Sequence, residues 1–485
     1  MKPYENLEKS YINGEWKDGT GKESVEVLNP YTEENIFTFR QAGESDIDAA
    51  YEAARKAQKE WAKMPPSGKR NIFDEVVRIM KERKDEIKEW ITREMGGTQT
   101  KAELEWNLVL ENVRVASAYP FEMNGKIFPS MIPGKESRMY REPQGIITVI
   151  TPWNFAMTLS MRSVAPALAT GNAVVLKPAE DTPVTGGTLI AKIFEEAGLP
   201  EGLLNVVLGK GSDIGDYMVE HPLADLISFT GSTPVGKGIA VRAGERMKDV
   251  SLELGGNNAF VVLDDADVDK AVEAAVFGKF MHQGQICMAI NRILVDEKLA
   301  DEFTEKYVAK VRTIKVGDPQ DQETELGPVI NSRQADKINA MIDRAIEQGA
   351  ELLTERKARG NMIHPVVLGN VTNDMDIAQN EIFGPVAGII TFNGDEEGAA
   401  LANDTNLGLS GAVHSGSVGR ALKVAGQIKT GMIHINDQPV NDDANAVFGG
   451  EKQSGIGRFN GDFVKEKFTT TKWVTVQHED REYVL

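Results

Sequence analysis

The chain has 485 residues, with 54 basic side chains against 73 acidic ones, and its formal charge of −19 argues against a surface that neutralises nucleic-acid phosphates. Its one cysteine, Cys287, excludes an internal disulfide, a multi-thiolate zinc site and an iron–sulfur cluster, leaving a structural thiol or a reactive one. The length predicts two or three domains at roughly 150 residues each, and 41% hydrophobic with 26% charged residues describes a soluble globular protein.

The N-terminus, MKPYENLEKSYINGEW, mixes both charges and lacks the apolar run of a signal peptide. No stretch approaches the length of a membrane span, so a cytoplasmic protein with no membrane partner is expected. From Tyr51 to Glu94 apolar residues recur at helical spacing among charges, predicting helices with one solvated face. The Pro- and Gly-rich segment 124–145 reads as a hairpin or arm. Strand-like runs follow at 146–151, 172–177, 204–209, 226–230 and 250–254, separated by helical stretches. That alternation predicts a parallel sheet with helices on both faces and a ligand site at the carboxyl ends of its strands. The helix after 172–177 is punctuated by Thr182 as N-cap, Pro183 in the first turn and Gly198 past the last. A second α/β region runs from about Asn258 to Ile435, with helices near 267–282, 298–313, 332–348 and 417–428 and strands RILVD, AGIITF and GMIHIN. The tail 467–477 has the composition of a strand that must pair with something.

Several glycine turns suit a ligand. In FTGSTPVGKG (229–238) the first seven residues from Gly231 match a P-loop, but Gly238 stands where Ser or Thr must hold Mg²⁺. A P-loop is therefore disfavoured, while a glycine turn receiving a phosphate at a helix N-terminus remains attractive. Gly209-x-Gly211-x-x-x-Gly215 misses the dinucleotide-binding spacing by one residue. In VVLKPAE, Lys177 can reach a ribose hydroxyl or phosphate and Glu180 can accept hydrogen bonds from an unphosphorylated ribose; that acid would repel a 2′-phosphate, which points to NAD rather than NADP. Asp265, Asp267 and Asp269 imitate an EF-hand loop, yet Lys270 and Val276 break its sixth and twelfth positions, so helix capping is expected and no metal. The six histidines, at 221, 282, 364, 414, 434 and 478, show no ligand spacing. Cys287 lies beyond Gly284, which can end a helix, and before a strand, a position suited to a nucleophile. His282 is either its base or an ordinary helix-end histidine. Glu253, at the end of VSLEL and before GGNN, is either a general base or a structural cap.

Taken in order, PWNF (152–155), KPAE (177–180), FTGSTPVG (229–236), LELGGNN (252–258), GQICMA (284–289), EIFGPV (381–386) and FGGEKQSGIGR (448–458) resemble the motifs of the aldehyde dehydrogenase superfamily over nearly the whole chain. HQGQICMAINR and LSMRSVAPALATGN are most similar to bacterial benzaldehyde and vanillin dehydrogenases within it. The resemblance implies an α/β fold of two doubly wound Rossmann-type domains with parallel sheets plus a β oligomerisation arm. Residues 1–123 and 142–252 would bind NAD, 253–450 would form the catalytic domain, and 124–141 with 465–485 the arm, through which the C-terminal strand augments a partner's sheet in a homodimer or homotetramer.

By the same resemblance, Cys287 is the nucleophile, Glu253 the general base and Asn154 the side-chain donor of an oxyanion hole. Trp153, Lys177, Glu180, Gly211, Gly231, Ser232, Gly236 and Leu254 would surround NAD, with Glu381 and Phe383 at its nicotinamide end. Arg162, Ile286, Met288 and the 437–446 loop would line the pocket for a small-molecule aldehyde, and Arg162 with that polar loop suits a phenol-bearing or polar-substituted ring. Ala156, where a proline often follows PWNF, would reshape the substrate entrance. Phe459, where many members carry an acid, would remove a proton relay and leave Glu253 more solely responsible. The expected reaction is oxidation of an aromatic aldehyde to its acid. Semialdehyde or aliphatic aldehyde oxidation, and a Cys-dependent esterase or thioesterase, are the rival readings.

Overall fold

The computed structural model describes residues 2–483. Met1, in the 1–123 segment, and Val484 and Leu485, in the 465–485 segment, lie outside the described residues. The helical stretch ending at Glu94 divides into α1 (Glu44–Lys63), α2 (Pro66–Glu82) and α3 (Lys84–Met95). Pro66 cannot extend α1, because it lacks an amide donor and disfavours the helical conformation at Pro65. Gly96 ends α3 in the left-handed conformation, φ 64°. A further helix, α4 (Gln99–Ala116), has the charged residues Lys101 and Glu105 on its buried face, which breaks the apolar stripe that would announce it.

Five parallel strands form the centre of the first sheet: β1 (Ile146–Ile150), β2 (Ala173–Lys177), β3 (Leu204–Val206), β4 (Leu226–Thr230) and β5 (Asp249–Glu253). Every side chain of β1 and β2 is buried, as expected of strands covered on both faces. The order β3-β2-β1-β4-β5 places the reversal of winding between β1 and β4, where such sheets open a ligand crevice. Helix α5 (Ala156–Ala169) connects β1 to β2. Between β2 and β3 the chain forms a π-turn, Val184–Thr188, that runs into α6 (Leu189–Glu196); α7 (Gly211–Glu220) and α8 (Thr233–Glu245) follow β3 and β4.

Thr182 and Pro183 do precede the π-turn, and Gly198 follows α6 at φ 79°, but the expected capping by Thr182 fails. Its hydroxyl is buried without a partner. Glu94 of α3 takes the role instead, accepting from Val184 N at 2.9 Å, Thr185 N at 2.8 Å and the Thr185 hydroxyl at 2.5 Å. A carboxylate that satisfies three donors at once outcompetes one hydroxyl.

The second sheet contains β6 (Asn258–Val262), β7 (Ile290–Asp296), β8 (Val366–Gly369), β9 (Val386–Phe392), β10 (Gly411–His414) and β11 (His434–Ile435), all parallel, in the order β8-β9-β7-β6-β10-β11. Helix α9 (Val268–Phe280) follows β6. Strands Lys126–Phe128 and Lys135–Pro143 form the expected antiparallel hairpin. The C-terminal strand Thr469–Gln477 pairs along its length with Lys135–Pro143 of its own chain, so one edge is satisfied in cis and the other stays open.

Candidate active site

Only residues 254–257 separate β5 from β6, so the carboxyl ends of the first sheet meet the amino ends of the second. At this junction β1 delivers Trp153 and Asn154, β4 delivers Gly231 and Ser232, and β5 ends at Glu253. Cys287 comes from the opposite side, in the loop between a 3₁₀ turn at Met281–Gly284 and β7. His282, Gln283 and Gly284 all adopt positive φ in that turn, so the Cys287 loop begins from strained backbone. The loop is anchored by Asn258, whose amide donates to Cys287 O and Ala289 O at 2.8 Å each. Gly256 is obligatory beside it, because a Cβ there would lie 2.2 Å from Cys287 O.

Cys287 separates two cavities. One, of about 200 Å³, is lined by Trp153, Gly231, Ser232, Glu253, Leu254, Glu381 and Phe383. The other, of about 210 Å³, is lined by Phe155, Thr158, Arg162, Ile286, Met288, Asp442 and Phe448. Asn154, Leu159 and Cys287 belong to both walls. One N–H of the Asn154 amide donates to Gln285 O at 2.8 Å, which fixes the side chain against the cysteine loop.

Burial dominates the electrostatics. Glu253 is 2% exposed, both its oxygens lack hydrogen-bond partners, and desolvation pushes its carboxyl up to about 8 against the pull of Arg162 and Arg458. Burial, then the charges of Glu253 and Glu381, pushes the Cys287 thiol up to about 12; Arg162 opposes this. Glu381 is raised to about 7 by burial and accepts from Gly256 N at 3.0 Å. Arg162 is paired with Asp442 and lies 4.0 Å over the Phe448 ring, leaving Nε and Nη1 buried and unpartnered.

Four expected cofactor residues stand outside the first cavity's lining. Lys177 is buried at the carboxyl end of β2, bonded to Pro178 O at 2.9 Å and 3.6 Å from Glu180, and a Cβ on Gly211 would be 3.8 Å from its Nζ. These three residues form a second polar cluster on the same edge of the sheet. Gly236 acts through packing: a Cβ there would meet Leu254 at 2.3 Å. The Trp153 and Phe383 rings meet edge to face at 5.4 Å.

Other expectations change. Lys237, the lysine of the P-loop-like run, bonds Gln453 on the surface at 2.8 Å. Asp267 caps α9, while Asp265 binds Ser415 and Asp269 binds Lys306, so these acids diverge. His282 lines neither cavity; its ring packs edge-on to Phe155 at 5.5 Å, and burial holds it well below the usual histidine range. Ala156 is buried, its methyl 3.4 Å from where a Cβ on Gly186 would stand, so it sets helix packing rather than an entrance. Phe459 backs the second cavity by bridging to Phe448.

Sequence reasoning missed Leu104 and Leu108 of α4, Phe155, Thr158, Leu159, Phe277 and Phe448, all in the second cavity's wall, while Gln438, Val440, Asn441 and Asp442 of the 437–446 loop stand there as expected. Apolar residues at helical spacing carry no signal that separates cavity from core. Asn258 was findable from the GGNN run.

Comparison with known proteins gives the same picture. The model of the aldehyde dehydrogenase family matches residues 16–474. Benzaldehyde dehydrogenase YfmT of Bacillus subtilis (strain 168) is 50% identical over 483 residues, covering 100% of both chains. A vanillin dehydrogenase of Corynebacterium glutamicum is 48% identical over 97% of each chain. The crystal structure of an NAD-dependent benzaldehyde dehydrogenase from Corynebacterium glutamicum superposes with a TM-score of 0.89 at 46% identity, covering 97% of this chain and 98% of that one. The motifs, the junction between two doubly wound sheets and these matches place the chain in the aldehyde dehydrogenase family.

Proposed function

We propose that this protein oxidises an aromatic aldehyde to its carboxylic acid with NAD⁺, through covalent chemistry on Cys287. The observation that carries the reading is the thiol between two cavities, with Asn154 on the wall common to both. The first cavity and the Lys177–Glu180–Gly211 cluster suit a dinucleotide: glycine turns allow close approach at the switch between β1 and β4, and the half-buried Glu180 is an acceptor for a ribose diol. The second cavity is mainly apolar and aromatic, and relatives named for benzaldehyde and vanillin support an aromatic ring there. Thr158 Oγ1 and Arg162 Nε and Nη1, all buried without partners, suit an oxygen substituent on that ring.

The Cys287 thiol gives up its proton to solvent, the resulting thiolate adds to the aldehyde carbon, and the oxyanion is held by the Asn154 amide and the Cys287 N–H. NAD⁺, when bound in the first cavity, supplies the hydride acceptor and a positive charge that favours the thiolate. The buried site tolerates one negative charge at a time, so Glu253 remains protonated while the thiolate exists. Once the sulfur carries the acyl group, that restraint lifts, and Glu253 can ionise and take a proton from the water that attacks the thioester. Cleavage of the C–S bond returns the thiolate and releases the acid.

The working thiol suits a reducing compartment, which supports a cytoplasmic setting. The open-edged arm supports a homodimer or homotetramer. No described helix is long and apolar enough to cross a membrane.

The test is NADH formation from NAD⁺ with benzaldehyde, vanillin, succinic semialdehyde and short aliphatic aldehydes, beside cleavage of a nitrophenyl ester. Aromatic aldehydes are expected to give the highest kcat/KM, and Cys287→Ala to abolish both activities. Ester cleavage without NADH from any aldehyde would make the protein an esterase. A preference for succinic semialdehyde would overturn the aromatic assignment, and a preference for NADP⁺ the role given to Glu180.

A further inference from the structure

The Lys101–Glu105 pair on α4 takes no part in the chemistry above, yet it is buried directly behind it. Both side chains are 0% exposed. Glu105 Oε2 accepts from Lys101 Nζ, while Oε1 accepts from Met157 N at 3.0 Å and Thr158 N at 3.2 Å. Those are the second and third residues of α5, whose first-turn donors have no partner within the helix. Phe155, at the cap position, offers no side-chain oxygen. The capping oxygen of α5 therefore comes from a neighbouring helix.

The same pair reaches the reacting groups by a second route. Lys101 Nζ lies 4.5 Å from the centre of the Phe155 ring, and that ring packs on His282, where the strained turn before Cys287 begins. Between Phe155 and β1 stands Asn154, whose amide is tied to Gln285 of the cysteine loop. Two fully buried charges are expensive, and apolar substitutes often serve stability equally well, so stability alone is a weak account of the pair.

We propose that Glu105, held by Lys101, is a positioning residue: by capping α5 it sets the depth at which the Asn154 amide and the Phe155 ring stand against the Cys287 loop. The proposal rests on Asn154 being the oxyanion donor. Without the cap the first turn of α5 frays and Asn154 shifts with it. A misplacement of about 1 Å costs on the order of a hundredfold in rate, comparable with losing one oxyanion donor.

Four variants test this, each assayed by first-turnover NADH formation and by nitrophenyl ester cleavage, with rates expressed per NAD⁺-binding site counted by fluorescence titration so that unfolded protein is not counted. Glu105→Ala is expected to lower both rates by roughly 10- to 100-fold, with KM for NAD⁺ nearly unchanged, because both reactions pass through the same oxyanion hole. The double variant Lys101→Met/Glu105→Gln keeps an oxygen for both N–H groups and buries no charge, so its rates are expected to return close to wild type. Glu105→Ala rates equal to wild type would overturn the proposal, as would double-variant rates as low as those of the alanine variant. Loss of NADH formation with intact ester cleavage would also overturn it. Asn154→Ala separates the two layers: wild-type rates in that variant would remove the oxyanion reading, whereas a fall there without one in Glu105→Ala removes the positioning role alone. Should Glu105→Ala not fold, Lys101→Met/Glu105→Leu against the Lys101→Met/Glu105→Gln variant carries the same comparison, since neither buries a charge and only the second keeps the capping oxygen; lower rates in the leucine variant are expected, and equal rates are decisive against the proposal.

Discussion

Glu253 and Cys287 line one cavity, and burial works against charge on both. A carboxyl held near 8 is mostly protonated at neutrality, so steady-state turnover should rise with pH, reach half its maximum near pH 8 and level off about one unit above. Glu253→Gln should erase that limb and slow turnover by roughly 10²- to 10⁴-fold, while a first-turnover burst of NADH remains. Stopped-flow fluorescence reads both quantities, and disappearance of the burst would place Glu253 before hydride transfer. The same shift bears on stability. Folding raises the Glu253 value above its ordinary 4.5, so between that value and about 8 the folded state holds a proton that the unfolded state has released, and stability falls as pH climbs through this window. Glu253→Gln should therefore unfold later than wild type at pH 9, with the difference shrinking toward pH 5; the gap is bounded by about 5 kcal/mol. Both residues could be singled out in the sequence because Glu253 ends a strand before glycines and Cys287 follows a glycine that ends a turn; their roles came from the motif resemblance, not from that placement. Thr158 and Phe448 could not, since one turn of helix or one loop contact decides whether such a side chain meets core or cavity.

At the scale of elements, two helix N-termini near the site are capped by buried acids from other helices: α5 by Glu105, and the π-turn ahead of α6 by Glu94. The punctuation of Pro183 and Gly198 was legible because Pro and Gly act through their own backbone. The true cap was not, because Glu94 stands 90 residues before Val184 and reads as one more charge on an amphipathic helix. Glu94 also ties α3 to the segment following β2, and therefore to the strand that carries Lys177. Glu94→Ala leaves two buried N–H groups and a hydroxyl unsatisfied and should cost about 2–4 kcal/mol. Glu94→Gln keeps one acceptor oxygen and should cost clearly less. Urea unfolding of the two variants checks the order; equal midpoints for Glu94→Ala and wild type would show that the π-turn needs no outside cap.

For the whole molecule, alternating strands and helices made two parallel sheets legible, but the order of the second sheet was not: β9 lies between β8 and β7, a choice made by packing over more than a hundred residues. The arm poses the remaining physical question. It is a three-stranded sheet, and alternate residues of a strand face opposite sides. The pairing puts Trp473 and Phe128 on one face and Ile127 and Tyr140 on the other, with exposures of 73%, 44%, 73% and 43%. A small sheet with large apolar groups open on both faces, and an unpaired edge at Thr469–Gln477, lacks a core of its own. Such a surface is stable when another chain covers it, and a second copy is the simplest candidate. Sedimentation should therefore give a particle of at least twice the 53.1 kDa chain mass. Trp473→Asp with Ile127→Asp places a charge on each face and should shift the protein toward monomer, while the far-UV circular dichroism stays that of the wild type. A wild-type monomer at micromolar concentration would show that the arm carries its apolar faces in water and would overturn the oligomeric assignment.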